Sequence, residues 1–220
     1  MRLLLVNPNT STATTEAMLA MARSAAASDV VLAGATARTG APLITNPAQL
    51  AVAARAVLDL LGTMPDTPDG VVVSAFGDPG LVEARARLAC PVTGIAEAGM
   101  AEAADGGRPF AVVTTTPALA EAIGETAVRY GHADAFRGVY LTPGDPVTQM
   151  ADPGGLEEAL FHTSLDAVAA GAQAIVIGGG PLAVAARAIA GRLPVPLIEP
   201  VPAAIRLAAR RAAGRTSPNG

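Results

Sequence analysis

The chain has no lysine: all 15 basic residues among its 220 are arginines. Schiff-base chemistry, toward pyridoxal phosphate or a carbonyl substrate, needs a lysine amine and is excluded. The P-loop lysine of a Walker-type NTPase is missing as well. Cysteine is nearly absent. The single Cys90 rules out an internal disulfide framework and a multi-cysteine metal site. Only His132 and His162 are available for a zinc site, and they show no HExxH-type spacing. No metal is expected. Aromatic residues make up 3% of the chain and hydrophobic residues 51%, so the core is built from Ala, Val and Leu. Such a core favours helices packed closely on a sheet. The formal net charge of −4 argues against a nucleic-acid surface. Long apolar runs are also missing. Met1–Val6 meets Asn7 and Pro8 too soon for a signal peptide or a membrane span. The expectation is a cytoplasmic protein with a small-molecule partner and no membrane association.

What the chain does have is an internal repeat. Arg2–Ser11 (RLLLVNPNTS) lies against Pro109–Pro117 (PFAVVTTTP), and Gly70–Asp78 (GVVVSAFGD) against Ala174–Pro181 (AIVIGGGP). Cys90–Glu97 (CPVTGIAE) then lies against Leu193–Pro200 (LPVPLIEP). Val6 matches Val113 at an offset of 107, Val73 matches Ile177 at 104, and Pro91 matches Pro194 at 103. Ordered matches with a slowly drifting offset point to two half-domains of one build that share a cleft.

Short apolar runs alternate with Ala-rich helical stretches, the pattern of parallel strands joined by crossover helices. Expected strands are Leu3–Val6, Val30–Gly34, Gly70–Ser74, Val92–Ile95, Phe110–Thr114, Val139–Leu141, Ala174–Ile177 and Pro196–Ile198. Expected helices are Thr12–Ala27, Pro47–Leu61, Leu81–Ala89, Ala96–Ala104, Pro117–Tyr130, Gly155–Ala170, Leu182–Ala190 and Pro202–Ala213. The fold class is α/β, with two quasi-symmetric Rossmann-like lobes, each a doubly wound, mainly parallel sheet. The lobes are expected at 1–106 and 107–213, with the C-terminal helix free to cross over and 214–220 a flexible tail. The Gly-rich Asp105–Arg108 marks the restart.

In open α/β sheets, ligands bind outside the carboxyl ends of strands. That rule gathers Asn7–Ser11, Ser74–Gly80, Thr114–Thr116 and Gly178–Gly180. Exposed backbone N–H groups beside Asn or Thr side chains suit a carboxylate, a phosphate or a polarised ring carbonyl, and they equally suit helix capping. Asp78 in FGDPG reads as a cleft carboxylate or as a turn former before proline. Glu97 and Glu199 end quasi-equivalent strands, as proton-transfer groups or as charges favoured at helix N-termini. His162 reads as a surface or packing residue, Cys90 as a small buried hydrophobe, and Tyr140 as a cleft or core residue. The GGGP at Gly178–Pro181 does not match a dinucleotide fingerprint.

Read together and in order, VNPNTS, AFGDPGL, GIAEA, VVTTTP and IEPVPAA resemble the aspartate/glutamate racemase superfamily in its hydantoin and allantoin racemase branch, from Arg2 to about Ala209. The resemblance implies an isomerase that uses no cofactor, has two lobes and forms a homo-oligomer. Such enzymes use two cysteines, one per lobe, to move a proton between the faces of a carbon next to a carbonyl. The matching positions here are Ala75 and Gly179, so both thiols are missing. By resemblance, substrate is held by Asn7, Asn9, Thr10 and Ser11, by Phe76, Gly77, Asp78, Pro79 and Gly80, and by Thr114, Thr115 and Thr116; the strand-end rule adds Ser74, Ala75, Gly178, Gly179 and Gly180 as substrate contacts. Asp78, Glu97 and Glu199 remain as acid–base candidates, and their pKa values would need raising by burial. The leading expectation is racemisation or epimerisation of a hydantoin-like or amino-acid-derived molecule by non-cysteine groups. Alternatives are changed chemistry on the same fold, as a lyase, decarboxylase or hydrolase, and a non-catalytic metabolite-binding protein.

Overall fold

A computed structural model describes residues 1–216 and resolves the apolar runs into two four-stranded parallel sheets. The first contains β1 (Arg2–Asn7), β2 (Val31–Thr36), β3 (Gly70–Val73) and β4 (Val92–Gly94), in the order β2-β1-β3-β4. The second contains β5 (Phe110–Thr114), β6 (Phe136–Leu141), β7 (Ala174–Ile177) and β8 (Leu197–Ile198), in the order β6-β5-β7-β8. The orders are identical, and the registers repeat as well. Val6 sits beside Ala35 and Val73, just as Val113 sits beside Tyr140 and Ile177. The outer ladder slips, since Val71 pairs with Val92 but Ile175 with Leu197, two residues beyond the sequence match.

The crossovers are α1 (Thr12–Ala25), α2 (Pro47–Gly62), α3 (Leu81–Arg87), α4 (Ile95–Ala103), α5 (Ala120–Arg129), α6 (Pro146–Met150), α7 (Pro153–Ala169), α8 (Ala183–Ile189) and α9 (Pro200–Thr216). Short α6 was not legible in the sequence. It is a single proline-initiated turn capped by Asp145, which accepts from the Thr148 amide. β6 starts three residues earlier than expected. Gly138, at φ +108, lies inside it beside a register shift between Phe110 and Val112, and such an irregularity hides a strand from pattern reading. α9 continues to Thr216, so residues 214–216 of the expected tail are helical; residues 217–220 lie outside the described residues.

The described residues form two compact units: one of residues 1–44, 48–98 and 201–216, the other of residues 45–47 and 99–200. They do not divide at one point in the sequence. α4 changes unit at Ala98/Gly99, and α9 follows β8 of the second sheet yet belongs to the first unit. The second unit's core shows the period-2 logic of a covered sheet. Ala111 and Val113 of β5 and Ile175 and Ile177 of β7 pack with Leu156 and Leu160 of α7 and Ala185 and Ile189 of α8. A leucine as deeply buried as Leu160 contributes about 2 kcal/mol. In the first unit, Gly34 of β2 lets α1 approach: a Cβ there would stand 2.6 Å from Leu19 Cδ1. Close helix–sheet contact of this kind is what an Ala- and Gly-rich, aromatic-poor sequence affords.

Candidate functional site

Within each unit, parallel pairing carries two polar strand ends side by side. In the first, the Ser74 amide donates to Val6 O (2.8 Å), which places the Asn7 loop next to the turn after β3. Asn7 is fully buried. Its Nδ2 donates to Asn9 Oδ1 (2.8 Å), Ser11 O (3.1 Å) and Thr15 Oγ1 (2.9 Å), and its Oδ1 accepts from the Asn9 amide (3.1 Å). Asn9 Oδ1 accepts from the Ser11 amide (2.9 Å), and Ser11 Oγ accepts from the Thr14 amide as the cap of α1. The Thr10 amide donates to Ala41 O. Asn7, Asn9 and Ser11 therefore shape the loop with the same atoms that the capping interpretation assigned them.

After β3 the chain turns sharply. The Asp78 amide donates to Ala75 O (3.0 Å), with Gly77 at φ +111 and Gly80 at φ +72. Asp78, at φ +51, is the non-glycine residue at positive φ among those described. Asp78 is buried. Its Oδ1 accepts from the Ala96 amide (2.9 Å) and its Oδ2 from the Glu97 amide (2.8 Å), closing the N-terminus of α4. Gly94 must be glycine here, because a Cβ would collide with the Asp78 carboxyl group. The amides of Ala75, Phe76 and Gly77 donate to no acceptor among the described residues. Phe76 is buried, whereas Ala75 and Gly77 are half-buried.

The raised pKa that acid–base work by Glu97 would need is absent. Burial does act in that direction, but hydrogen bonds and charge from Arg211 and Arg85 outweigh it and bring the carboxyl down from 4.5 to about 2. Arg85 Nη2 reaches both carboxylate oxygens (2.8 and 2.7 Å). Arg211 does so with two nitrogens (both 2.8 Å) and also reaches Thr93 Oγ1 (3.0 Å). Glu97 is thus a fixed anion that fastens α9 to α3 and β4, not a proton carrier near neutral pH. Glu199 repeats half of this arrangement, taking Arg187 at 3.1 Å. In both units the arginine stands 12 residues before the glutamate. That shared spacing is the signal by which Arg85 and Arg187 could have been found in the sequence. Arg211, 114 residues from Glu97, has no such signal.

In the second unit the Gly178 amide donates to Val113 O (2.8 Å), bringing Thr114–Thr116 next to Gly178–Gly180. Thr114 Oγ1 donates to Gly178 O (2.8 Å) and lies 3.0 Å from Thr116 Oγ1. Thr114, Thr115, Thr116 and Gly180 are all buried. Gly179 has φ +155, and a Cβ there would press on Leu182 Cδ1 and Cγ at 3.2 Å. Away from the strand ends, Tyr140 packs on the core of this unit, His162 is exposed 3.7 Å from Glu158, and Cys90 is buried. Among the described residues no His, Cys, Asp and Glu cluster could hold a metal ion, and no helix is long and apolar enough to cross a membrane.

Two units with one strand order, each ending in polar turns at the carboxyl edge of a parallel sheet, define a duplicated α/β enzyme fold. The chain belongs to the Asp/Glu/Hydantoin racemase family, whose profile matches residues 3–208, and so to the racemase-type isomerases. It is 28% identical to a hydantoin racemase from Paenarthrobacter aurescens, over 94% of this chain and 89% of that one. An allantoin racemase from Klebsiella pneumoniae superposes with a TM-score of 0.90 at 32% identity, covering 100% of this chain and 90% of that one. The allantoin racemase of Pseudomonas fluorescens gives 0.92 at 28% identity, covering 100% and 94%.

Proposed function

We propose that this chain is a cofactor-independent racemase or epimerase acting at a carbon next to a carbonyl in a hydantoin-like or amino-acid-derived small molecule, in the cytoplasm and as a homo-oligomer. The observation that carries the reading is the likeness to allantoin racemases over the whole chain. The turn Ala75–Asp78 gives it chemistry. Its three unclaimed amides are suited to hold a ring carbonyl oxygen and to stabilise the enolate formed when the α C–H bond breaks and its electron pair moves to that oxygen. Neither Ala75 nor Gly179 carries a thiol, Glu97 is held ionised by its arginines, Glu199 is paired with Arg187, and Asp78 spends both oxygens on α4. In this reading Asp78 positions the turn, and the departing proton passes to a solvent base and is returned from water to either face.

The test is a proton NMR time course in heavy water with allantoin, 5-methylhydantoin, aspartate and glutamate. The expected result is loss of the α-proton signal faster than in a protein-free control with allantoin or 5-methylhydantoin, with a rate that rises with pH. No exchange above the control with any of them overturns the assignment. A second reading, metabolite binding without turnover, is favoured by the engagement of every candidate carboxylate. Thermal stabilisation by one of these compounds with neither exchange nor product would select it. Product formation without exchange would select a lyase, decarboxylase or hydrolase.

A further inference from the structure

One buried side-chain polar atom among the described residues has no partner: the hydroxyl of Ser74, in a residue 2% exposed, at the end of β3. An unsatisfied hydroxyl in a packed interior is costly, and each instance calls for an explanation. The position equivalent to Ser74 in the second unit is Gly178, which has no hydroxyl, but a neighbouring strand end there does carry one. Thr114 Oγ1, the hydroxyl beside that glycine, donates to Gly178 O at 2.8 Å, so a buried strand-end hydroxyl is satisfied in the second unit and left orphaned in the first. The chain directly after Ser74 is also the most contorted in the first unit: Gly77, Asp78 and Gly80 all have positive φ, and Asp78 holds this conformation without being glycine. Strain of this kind persists where the surroundings over-determine it, and it gathers at ligand clamps and switches. An orphan donor, three unclaimed amides and a strained turn stand within five consecutive residues, Ser74–Asp78.

We propose that the Ser74 hydroxyl is a ligand-binding donor, left unsatisfied in the free protein and taken up by a carbonyl oxygen of a bound imide or ureide ring as the Ala75–Asp78 turn moves with the ring oxygen that its amides hold. The proposal rests on the function given above and deepens it by making Ser74 a specificity-determining residue for a ring oxygen. The residue does not exchange protons with the substrate. It adds one hydrogen bond that the free protein lacks.

The proposal separates two quantities that a structural hydroxyl would move together. Ser74→Ala removes a desolvated donor, so the melting temperature of the free protein is expected to rise. The same variant is expected to bind allantoin or 5-methylhydantoin about fivefold more weakly by calorimetric titration, the size of one lost neutral hydrogen bond. Raised melting with unchanged affinity would make the hydroxyl a packing defect and overturn the proposal while the functional reading stands. Lowered melting with unchanged affinity would make it a structural bond and overturn it equally. If the unsubstituted protein binds neither compound, the proposal and the functional reading fall together.

Discussion

The two units place the same backbone under different chemistry. Strand order and inner-ladder register agree, yet the first unit finishes its strands with side-chain amides and a carboxylate, Asn7, Asn9 and Asp78, and the second with hydroxyls and glycines, Thr114, Thr116 and Gly178–Gly180. Topology is carried by buried apolar strands, which are nearly interchangeable between the units. The polar residues at the strand ends carry none of it and are free to diverge. The ion pairs diverge in the same way, with Glu97 clamped by two arginines and Glu199 recorded against Arg187.

The largest expected contrast follows from that last difference. Glu97→Ala leaves Arg85 and Arg211 facing each other and releases α9, and a loss of about 3 kcal/mol is expected, in the range for breaking a partly buried pair. Glu199→Ala exposes one half-exposed arginine and is expected to cost about 1 kcal/mol or less. Urea titrations of the two variants measure the difference, and equal losses would dissolve the asymmetry.

The strand-end turns give the next contrast. Gly179→Cys forces a side chain onto a φ of +155 and against Leu182, at a cost of about 2 kcal/mol. Ala75→Cys adds one sulfur at a half-buried position without positive φ and is expected to change stability by less than about 1 kcal/mol. Thermal melts of the two variants decide this, and equal shifts would mean that the second turn rearranges at no cost.

The smallest effect is read against pH. The Glu97 pKa is depressed in the folded protein, so its contribution is fully present above about 4.5 and is lost as pH falls toward about 2. Glu97→Gln removes that titration. The variant is therefore expected to lose less stability between pH 4.5 and 2 than the unsubstituted protein, as measured by urea midpoints across the window. Parallel curves would show that Glu97 has the same pKa folded and unfolded.

Much of this was readable from the chain alone. The repeat, the strands and the gathering of Asn7–Ser11 with Ser74–Gly80 follow from short apolar runs ending in small polar residues, and both signals are local. Asp78 was legible as a special residue because it sits in FGDPG, but its attachment to the Ala96 and Glu97 amides was not, since 18 and 19 residues intervene. Glu97 was legible as a charge at the start of a helix, but its fixed ionisation was not, because Arg211, one of its two arginines, arrives from the far end of the chain.

By itself, then, the sequence determined the class of fold, the duplication and the lysine-free chemistry open to the chain, since composition and hydrophobic period act residue by residue along the backbone. Only tertiary structure decided which donors and acceptors were already spent. Asn7 is consumed within its own loop, Glu97 is neutralised by Arg85 and Arg211, Thr114 is satisfied by Gly178, and Ser74 is left with none. The physical reason is that hydrogen bonding and charge pairing are fixed by distance in space, which the fold sets and residue order does not.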